Sequence, residues 1–231
     1  MRSRPLLVLV VFLGVVVAGW LVSRNSYTPS RPSEILVPTI SKLPVAFATR
    51  TFDPAAPPPD MPQLRPGEIA ICDSNFVSNA TVGGLPHQTD ATHATITISK
   101  ANVSLQLIIN IWVPVGATDH LVEHEQGHRQ ISEYYYQAAD KLAAQIAAKH
   151  LGQRLEITGP DLNAESSKIL QQVAADITAD YNKELNPAPT QLLYDDITDH
   201  GRNETVVQDA ITHAIKNVAL ESPQPTATPA N

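Results

Sequence analysis

The chain has 231 residues, 43% of them hydrophobic, and a formal net charge of −7. This length and composition can bury one substantial core, and the 19 prolines crowd towards the two ends, so we expect a single folded domain. The acidic balance leaves no stripe of Lys and Arg for phosphates, which argues against a nucleic-acid partner. Cys72 is the single cysteine, so any metal site must depend on His and carboxylate ligands.

Residues 5–22 form an uncharged, mostly apolar run that follows Arg2 and Arg4. As a helix with a rise of about 1.5 Å per residue this run covers about 27 Å, just enough to cross the hydrocarbon core of a bilayer. We predict that residues 1–25 are a membrane anchor, with the basic flank in the cytoplasm and the remaining chain on the other side. A signal peptide is the alternative, although the Val-Val-Ala of residues 16–18 is a poor cleavage site. Both interpretations place the domain outside the cytoplasm, in the cell envelope or, after cleavage, secreted.

Residues 26–65 are rich in Pro, Ser, Thr and Ala and include three consecutive prolines at residues 57–59. Such a composition favours stiff, extended backbone with little capacity to pack, so we predict a linker over residues 26–65. Residues 221–231 have the same character and are predicted to be a disordered tail. The folded domain is therefore expected to cover residues 66–220.

The first part of this domain carries strand patterns. Alternating or β-branched residues at 68–72, 94–99 and 104–113 predict strands, the last of them ended by Pro114. Gly83 and its glycine neighbour predict a turn. The strands precede all the predicted helices, so we expect an α+β fold with a small antiparallel sheet followed by helices.

Three helices are predicted after the strands. The first begins at an N-cap at residue 118 or 119 and runs to about residue 150, where Gly152 ends it. The second is capped by residue 161 or 163 and extends to about residue 185, where Pro187 stops it. The third is amphipathic and spans about residues 204–220.

The first predicted helix carries His124, Glu125 and His128 in the order His-Glu-Gln-Gly-His, the HExxH signature of zinc hydrolases. Residues four apart lie on one face of a helix, so the two imidazoles can bind one metal ion. Glu125 lies about 100° round the helix and can reach a water that the metal activates. The motif predicts a Zn²⁺ site with Glu125 as general base. His120, one turn earlier on the same face, could support a metal ligand, but we interpret it as a solvated histidine at the start of the helix.

A catalytic zinc ion usually has three protein ligands and an open fourth position, so one more ligand must come from elsewhere in the chain. One possibility is His200, in a predicted loop where Gly201 allows the backbone to turn closely. The other is a carboxylate on the second predicted helix, for which the candidates are Glu165, Asp176, Asp180 and Glu184. The residues by themselves leave both possibilities open.

Two motifs in this order resemble one family. Residues 121–128 (Leu-x-x-His-Glu-Gln-Gly-His) and 194–201 (Tyr-Asp-x-x-Thr-x-His-Gly) look like the DUF922 family of bacterial proteins, described as predicted secreted or periplasmic zinc-dependent proteases. The resemblance covers about residues 65–220. It implies a zincin-like domain with both motifs in the site.

By the same resemblance, the zinc ligands are His124, His128 and His200. Tyr194 is implied as a supporting group. Because catalysis needs a donor near the oxyanion, we expect Tyr194 or a further histidine to stabilise it. Asp195 and Thr198 are expected to support the ligands.

We therefore expect an extracytoplasmic zinc metallopeptidase that acts on a peptide or protein substrate, with Glu125 as its general base. The predicted strand at 104–113 would bind an extended peptide as an added strand. One alternative is a noncatalytic envelope binding or scaffold domain, in which the metal is lost, or is structural and closed by a fourth ligand such as Asp199. Another is a zinc amidase that acts on cell-wall amide bonds.

Overall fold

The structure, a computed structural model, describes residues 35–221. The predicted anchor at residues 1–25 and the predicted tail beyond residue 221 lie outside these residues. Within residues 35–221, no helix has the length and apolar character that crossing a bilayer requires.

The described part is α+β, as predicted, with a five-stranded sheet and five helices. The strands are β1 (Thr39–Lys42), β2 (Ala46–Phe52), β3 (Ile71–Gln88), β4 (His93–Pro114) and β5 (Arg154–Thr158). The helices are α1 (Asp119–Gln137), α2 (Ala139–Ala148), α3 (Leu162–Glu184), α4 (Ala188–Thr198) and α5 (Val207–Glu221).

Strand β4 is the centre of the sheet because it is paired along both edges. On one edge β3 runs antiparallel to it, from the Ile71–Trp112 pair to the Gln88–Ala94 pair. On the other edge β5, β1 and β2 follow one another end to end, β5 antiparallel and the other two parallel to β4. The sheet is therefore mixed, and the prediction of an antiparallel sheet is wrong for β1 and β2.

Strands β1 and β2 come from the segment that was predicted to be a linker. The side chains of β2 are mostly exposed, with Phe52 buried at its end. The Tyr136 hydroxyl of α1 donates to the carbonyl of Leu43 (2.8 Å), between the two strands, and to that of Leu105 in β4 (3.0 Å). The linker prediction over residues 26–65 is thus wrong for residues 39–52. Backbone pairing with β4 holds these strands, so they lack the apolar alternation by which a strand is recognised.

The core lies between one face of the sheet and the helices α1, α2 and α3. Every second residue of β4 from Val103 to Ile111 is buried, because successive side chains of a strand point to opposite faces. Ile146 of α2 and Ile177 of α3 are fully buried against this row.

Two predicted strands, 94–99 and 104–113, are parts of one long strand, β4. The predicted turn at Gly83 is an irregularity within β3.

The helices differ from prediction at two points. Helix α1 begins at the predicted cap, where the Thr118 side chain accepts a hydrogen bond from the Leu121 N–H. The expected helix to residue 150 is divided at Ala138, where no glycine or proline marks the change. Helix α4 was not predicted at all. The prolines before it were interpreted as the end of a helix, but Pro187 is the N-cap of α4 and Pro189 lies in its first turn.

A second, smaller core cluster holds α4 and α5 against α1. Its buried members are Ile131 of α1, Tyr194 of α4 and three residues of α5, Ala210, Ile211 and Ala214. Because Tyr194 is part of this cluster, the position of α4 is set by packing at the same place where the predicted site residues lie.

The core makes a stability prediction. Leu107→Ala in β4 removes a fully buried side chain and is expected to lower the free energy of unfolding by about 2–5 kcal/mol. Leu85→Ala on β3, where the side chain is 66% exposed, is the matched control and should change it by less than about 0.5 kcal/mol. Urea unfolding of both variants measures the difference, and equal effects would contradict the burial of the β4 face.

Candidate metal centre

Three side chains from two helices converge at one point. His124 and His128 lie one turn apart on α1, and Asp195 comes from α4. Their ligand atoms all lie within 4.8 Å of one another. The His128 Nε2 is 2.9 Å from Asp195 Oδ1 and 3.2 Å from His124 Nε2, and the His124 Nε2 is 3.4 Å from Asp195 Oδ1. This group could hold a metal ion.

The outer nitrogen of His124 identifies its tautomer. Its Nδ1 lies 3.2 Å from the Thr198 hydroxyl, which itself donates to the Tyr194 carbonyl at 2.7 Å. Since that hydroxyl has a single proton, it accepts from the His124 Nδ1–H. The Nε2 of His124 is thus left with a lone pair that faces His128 and Asp195.

The contacts of Gln191 identify the tautomer of His128 in the same way. Its amide NH₂ donates to the His128 carbonyl (3.1 Å) and to the Ser132 hydroxyl (3.0 Å). This orientation leaves the Gln191 Oε1 to accept from the His128 Nδ1–H. The Nε2 of His128 therefore also presents a lone pair, and such outer partners are the usual way in which proteins orient metal-binding histidines.

Two imidazole lone pairs and a carboxylate oxygen that face one another require a positive charge between them. The pKa values reflect that requirement. A proton on an imidazole Nε2 can supply this charge. Burial by itself would raise the pKa of Asp195, but Nε2–H bonds from His124 and His128 in their protonated forms outweigh burial and hold that pKa well below its usual range. Burial would likewise lower the pKa of His128, but Asp195 more than offsets it, and the pKa is raised. Burial lowers the pKa of His124, which favours the neutral, metal-binding form.

Tyr194 lies behind the two imidazoles. Its ring stacks on His124, with centroids 5.0 Å apart, and meets His128 edge-on at 4.9 Å. Its hydroxyl donates to the His124 carbonyl at 3.1 Å and is buried. A Cβ at Gly127 would clash with that hydroxyl, so the glycine of the motif makes room for the tyrosine. Tyr194 therefore positions the histidines, and its hydroxyl lies away from the cleft in which the expected oxyanion donor would have to act.

His200 lies beside the three-residue group rather than within it. Its Nδ1 is 3.6 Å from Asp195 Oδ1, and its side chain is 37% exposed. Asp199, His200 and Gly201 all have positive φ (47°, 53° and 73°), a conformation that costs about 1–2 kcal/mol for a residue with a Cβ. A Cβ at Gly201 would lie 2.8 Å from the His124 Cγ. The turn thus brings His200 to the edge of the site. The predicted ligand set was His124, His128 and His200, whereas the group that the structure brings together has Asp195 in place of His200.

The other predicted candidates lie elsewhere. Asp199 is exposed and pairs with Arg202 at 2.7 Å, and the Nε2 of His120 meets the Asn203 carbonyl at 2.7 Å rather than solvent alone. The four α3 carboxylates do not line the cleft at the metal group; they are Glu165, Asp176, Asp180 and Glu184.

A cleft of about 340 Å³ opens beside the metal group and is lined by α1, α4 and the first residues of β3. Glu125 lies on its wall, 4% exposed, and Cys72 at the start of β3 lines the same cleft. Its Oε2 has no hydrogen-bond partner within the described chain. Burial raises the pKa of Glu125 to about 7. Burial also raises the pKa of the Cys72 thiol to about 12, so this thiol stays protonated beside the site.

The predicted peptide-binding strand has no free edge. Residues 104–113 belong to β4, which β3 covers on one side and β1 and β2 on the other. Across the part of the chain that the structure describes, no strand pairs with the outer edge of β3. Since residues 69–74 line the cleft, the edge next to the metal group belongs to β3.

No family model matches this chain, and no curated protein or solved structure matches it either. The resemblance to the DUF922 family therefore stays a prediction that rests on two motifs. Sequence reasoning named Asp195 and Thr198 as supporting residues by that resemblance, but it missed Gln191. A glutamine on an unpredicted helix has no spacing signal that could have identified it.

The Gln191 contact gives a prediction about metal affinity. Gln191→Ala removes the acceptor that orients His128 and is expected to weaken Zn²⁺ binding about 10- to 100-fold. A chelator competition with Zn²⁺ as the probe measures this, and Gln191→Glu, which keeps an acceptor, should restore most of the affinity. Gln130→Ala, at an exposed position of α1, is the control. An unchanged affinity in Gln191→Ala would contradict the orienting role.

The ligand group makes a separate prediction. Asp195→Asn should lose tight binding of the metal ion, whereas His200→Ala should retain about one ion per chain. Elemental analysis after dialysis distinguishes them, with Asp199→Asn as a control on the exposed neighbour. Retention in Asp195→Asn together with loss in His200→Ala would restore the three-histidine set.

Proposed function

We propose that this protein is a zinc-dependent metallopeptidase of a zincin-like type, as the resemblance to the DUF922 family implies. The observation that carries the proposal is the pairing of two features in one cleft. One is the group of His124, His128 and Asp195, with both Nε2 lone pairs facing inward. The other is the buried carboxylate of Glu125, with one oxygen left without a partner.

Zinc fits the donor group. Two imidazoles and one carboxylate are a three-ligand set typical of catalytic zinc, with bonds of about 2.0–2.2 Å. In a tetrahedral arrangement such bonds separate the ligand atoms by about 3.3–3.5 Å. The separations of 2.9, 3.2 and 3.4 Å lie close to this range.

When bound, Zn²⁺ would polarise the substrate carbonyl and lower the pKa of a water. The proton transfers belong to Glu125. Its carboxylate takes the proton of the attacking water and then delivers it to the leaving amine. A pKa near 7, which burial produces, suits a group that must both accept and donate a proton near neutral pH.

A peptide substrate is favoured by the free edge of β3. The backbone there can pair with an extended chain, a common mode of peptide recognition. Because Cys72 of β3 and Glu125 line the same cleft, a strand added at this edge would pass close to the general base. We further propose that residues 1–25 anchor the protein, so that the domain works in the cell envelope on the extracytoplasmic side.

A noncatalytic domain with a structural metal is the second candidate, favoured by the position of His200. A structural zinc site is closed by four protein ligands, and the His200 Nδ1 lies 3.6 Å from the shared Asp195 oxygen. In that case His200→Ala would lower the thermal stability of the metal-loaded protein as strongly as Asp195→Asn does.

The mechanism predicts that Glu125→Gln keeps one metal ion per chain and loses turnover by about 10²- to 10⁴-fold, because the general base is gone. Cleavage of a fluorogenic peptide pool at neutral pH measures turnover, and elemental analysis measures the metal. Glu123→Gln, exposed on the same helix, is the matched control. Full activity in Glu125→Gln would overturn the mechanism, and activity confined to cell-wall amides would move the proposal to an amidase.

A further inference from the structure

A second cavity, of about 770 Å³, lies next to the metal cleft. It is formed where β2 and β4 end, between Phe52 at the end of β2 and the following loop, which contributes Met61 and Leu64. Five prolines also line it, among them Pro58 and Pro62. We refer to this cavity as the proline pocket.

The chemistry of the proline pocket is apolar. Apart from Gln63, its one polar lining residue is Glu68. The Glu68 carboxylate is already engaged, since its Oε2 accepts from the Arg65 N–H at 2.7 Å. Among the described residues, no Lys, Arg or His lines the pocket. It therefore offers no partner to an anionic group, and its mostly apolar lining favours a large apolar one.

The pocket wall is held in place by local backbone constraints. Proline fixes φ, so five prolines restrict the backbone of the lining. The Met61 N–H donates to the Pro58 carbonyl at 3.1 Å, and Arg50 pairs with Asp60 at 2.8 Å. A pocket that exists before its ligand arrives binds it at a smaller cost in conformational entropy.

The proline pocket adjoins the metal cleft. Glu68 and Ile69 line both cavities, and Ile69 is 58% exposed at their junction. Ile69 precedes Cys72, which lines the metal cleft together with Glu125, by three residues, a distance of at most about 10 Å along the chain. A peptide laid along the edge of β3 at Glu125 would therefore bring a side chain to the pocket within about three residues of its reacting bond.

We propose that the proline pocket is a specificity subsite that takes a large apolar side chain (Phe, Leu or Met) of the substrate, within three residues of the cleaved bond. This inference rests on the proposed peptidase function. Burial of such a side chain favours the apolar substrate over one with Ser at that position by about 10- to 100-fold.

The test compares cleavage of a mixed peptide pool by zinc-loaded full-length protein, with every cleaved bond identified by mass spectrometry. Wild type is expected to show one position near the bond enriched in Phe, Leu and Met. Leu64→Asp, which places a charge in the pocket, should lose this enrichment about 10-fold or more while still cleaving. Met61→Trp, which narrows the pocket, should shift the preference to Ala and Val. Leu85→Asp, exposed at the far end of β3, should leave the preference unchanged.

Binding of the same peptides to Glu125→Gln, measured by fluorescence anisotropy, separates the two proposals. Cleavage without an apolar preference, or a preference that neither pocket variant changes, overturns the subsite and leaves the peptidase function standing. Apolar peptides that bind in the pocket and are never cleaved by wild type would overturn the peptidase function, and the subsite with it, and would leave the pocket as a site of peptide binding alone. If the peptides are neither bound nor cleaved, the subsite and the peptidase function are both overturned.

Discussion

The docking of α4 on α1 decides the geometry of the whole site, and it depends on the contact between Tyr194 and Gly127. The tyrosine ring covers both imidazoles, and its hydroxyl reaches the His124 carbonyl through the space that a Cβ at residue 127 would fill. Gln191 and Thr198 lie one turn of α4 before and after Tyr194. Gln191 meets the Nδ1 atom of His128, and Thr198 meets the Nδ1 atom of His124. The carboxylate of Asp195, which lies between them on α4, faces the Nε2 atoms of the two histidines. A single packing contact thus aligns the ligands, their tautomers and the carboxylate.

The sheet supplies the other wall of the site. Because β4 is paired along both edges, it is the rigid centre of the sheet, and the face that its buried alternate residues form carries α1. Within residues 35–221, no strand pairs with the outer edge of β3, and the first residues of β3 line the cleft together with Glu125. The Ser132 hydroxyl of α1 donates to the Ser74 hydroxyl of β3 at 2.8 Å and also accepts from Gln191. The edge strand and the oriented histidine are therefore joined through one buried serine.

Local patterns in the sequence predicted what depends on local chemistry. The alternation in β4, the Thr118 cap and the Asp161 cap of α3 are all confirmed, because each depends on residues a few positions apart. Local patterns gave wrong predictions for elements whose partners are distant along the chain. Strands β1 and β2 have mostly exposed side chains and are held by the backbone of β4, and α4 begins with prolines that also end helices. Strands β1 and β2 carry no clear apolar alternation. Helix α4 has apolar residues at helical spacing, Leu193, Tyr194 and Ile197, but the prolines at its start were interpreted only as the end of the preceding helix.

The sequence by itself determined the pair of histidines, the glutamate between them and the α+β class, since a spacing of four on a helix suffices to bring two imidazoles together. The predicted order of strands before helices is wrong for β5, which follows α2. Only the tertiary structure decided which distant residue completes the group. Asp195 and His200 are five residues apart, and both approach the histidines, but Asp195 projects from a helix packed on α1 whereas His200 follows it on a left-handed turn. That difference depends on how α4 packs, which involves Tyr194, Gly127 and the α5 cluster together. No spacing along the chain encodes it.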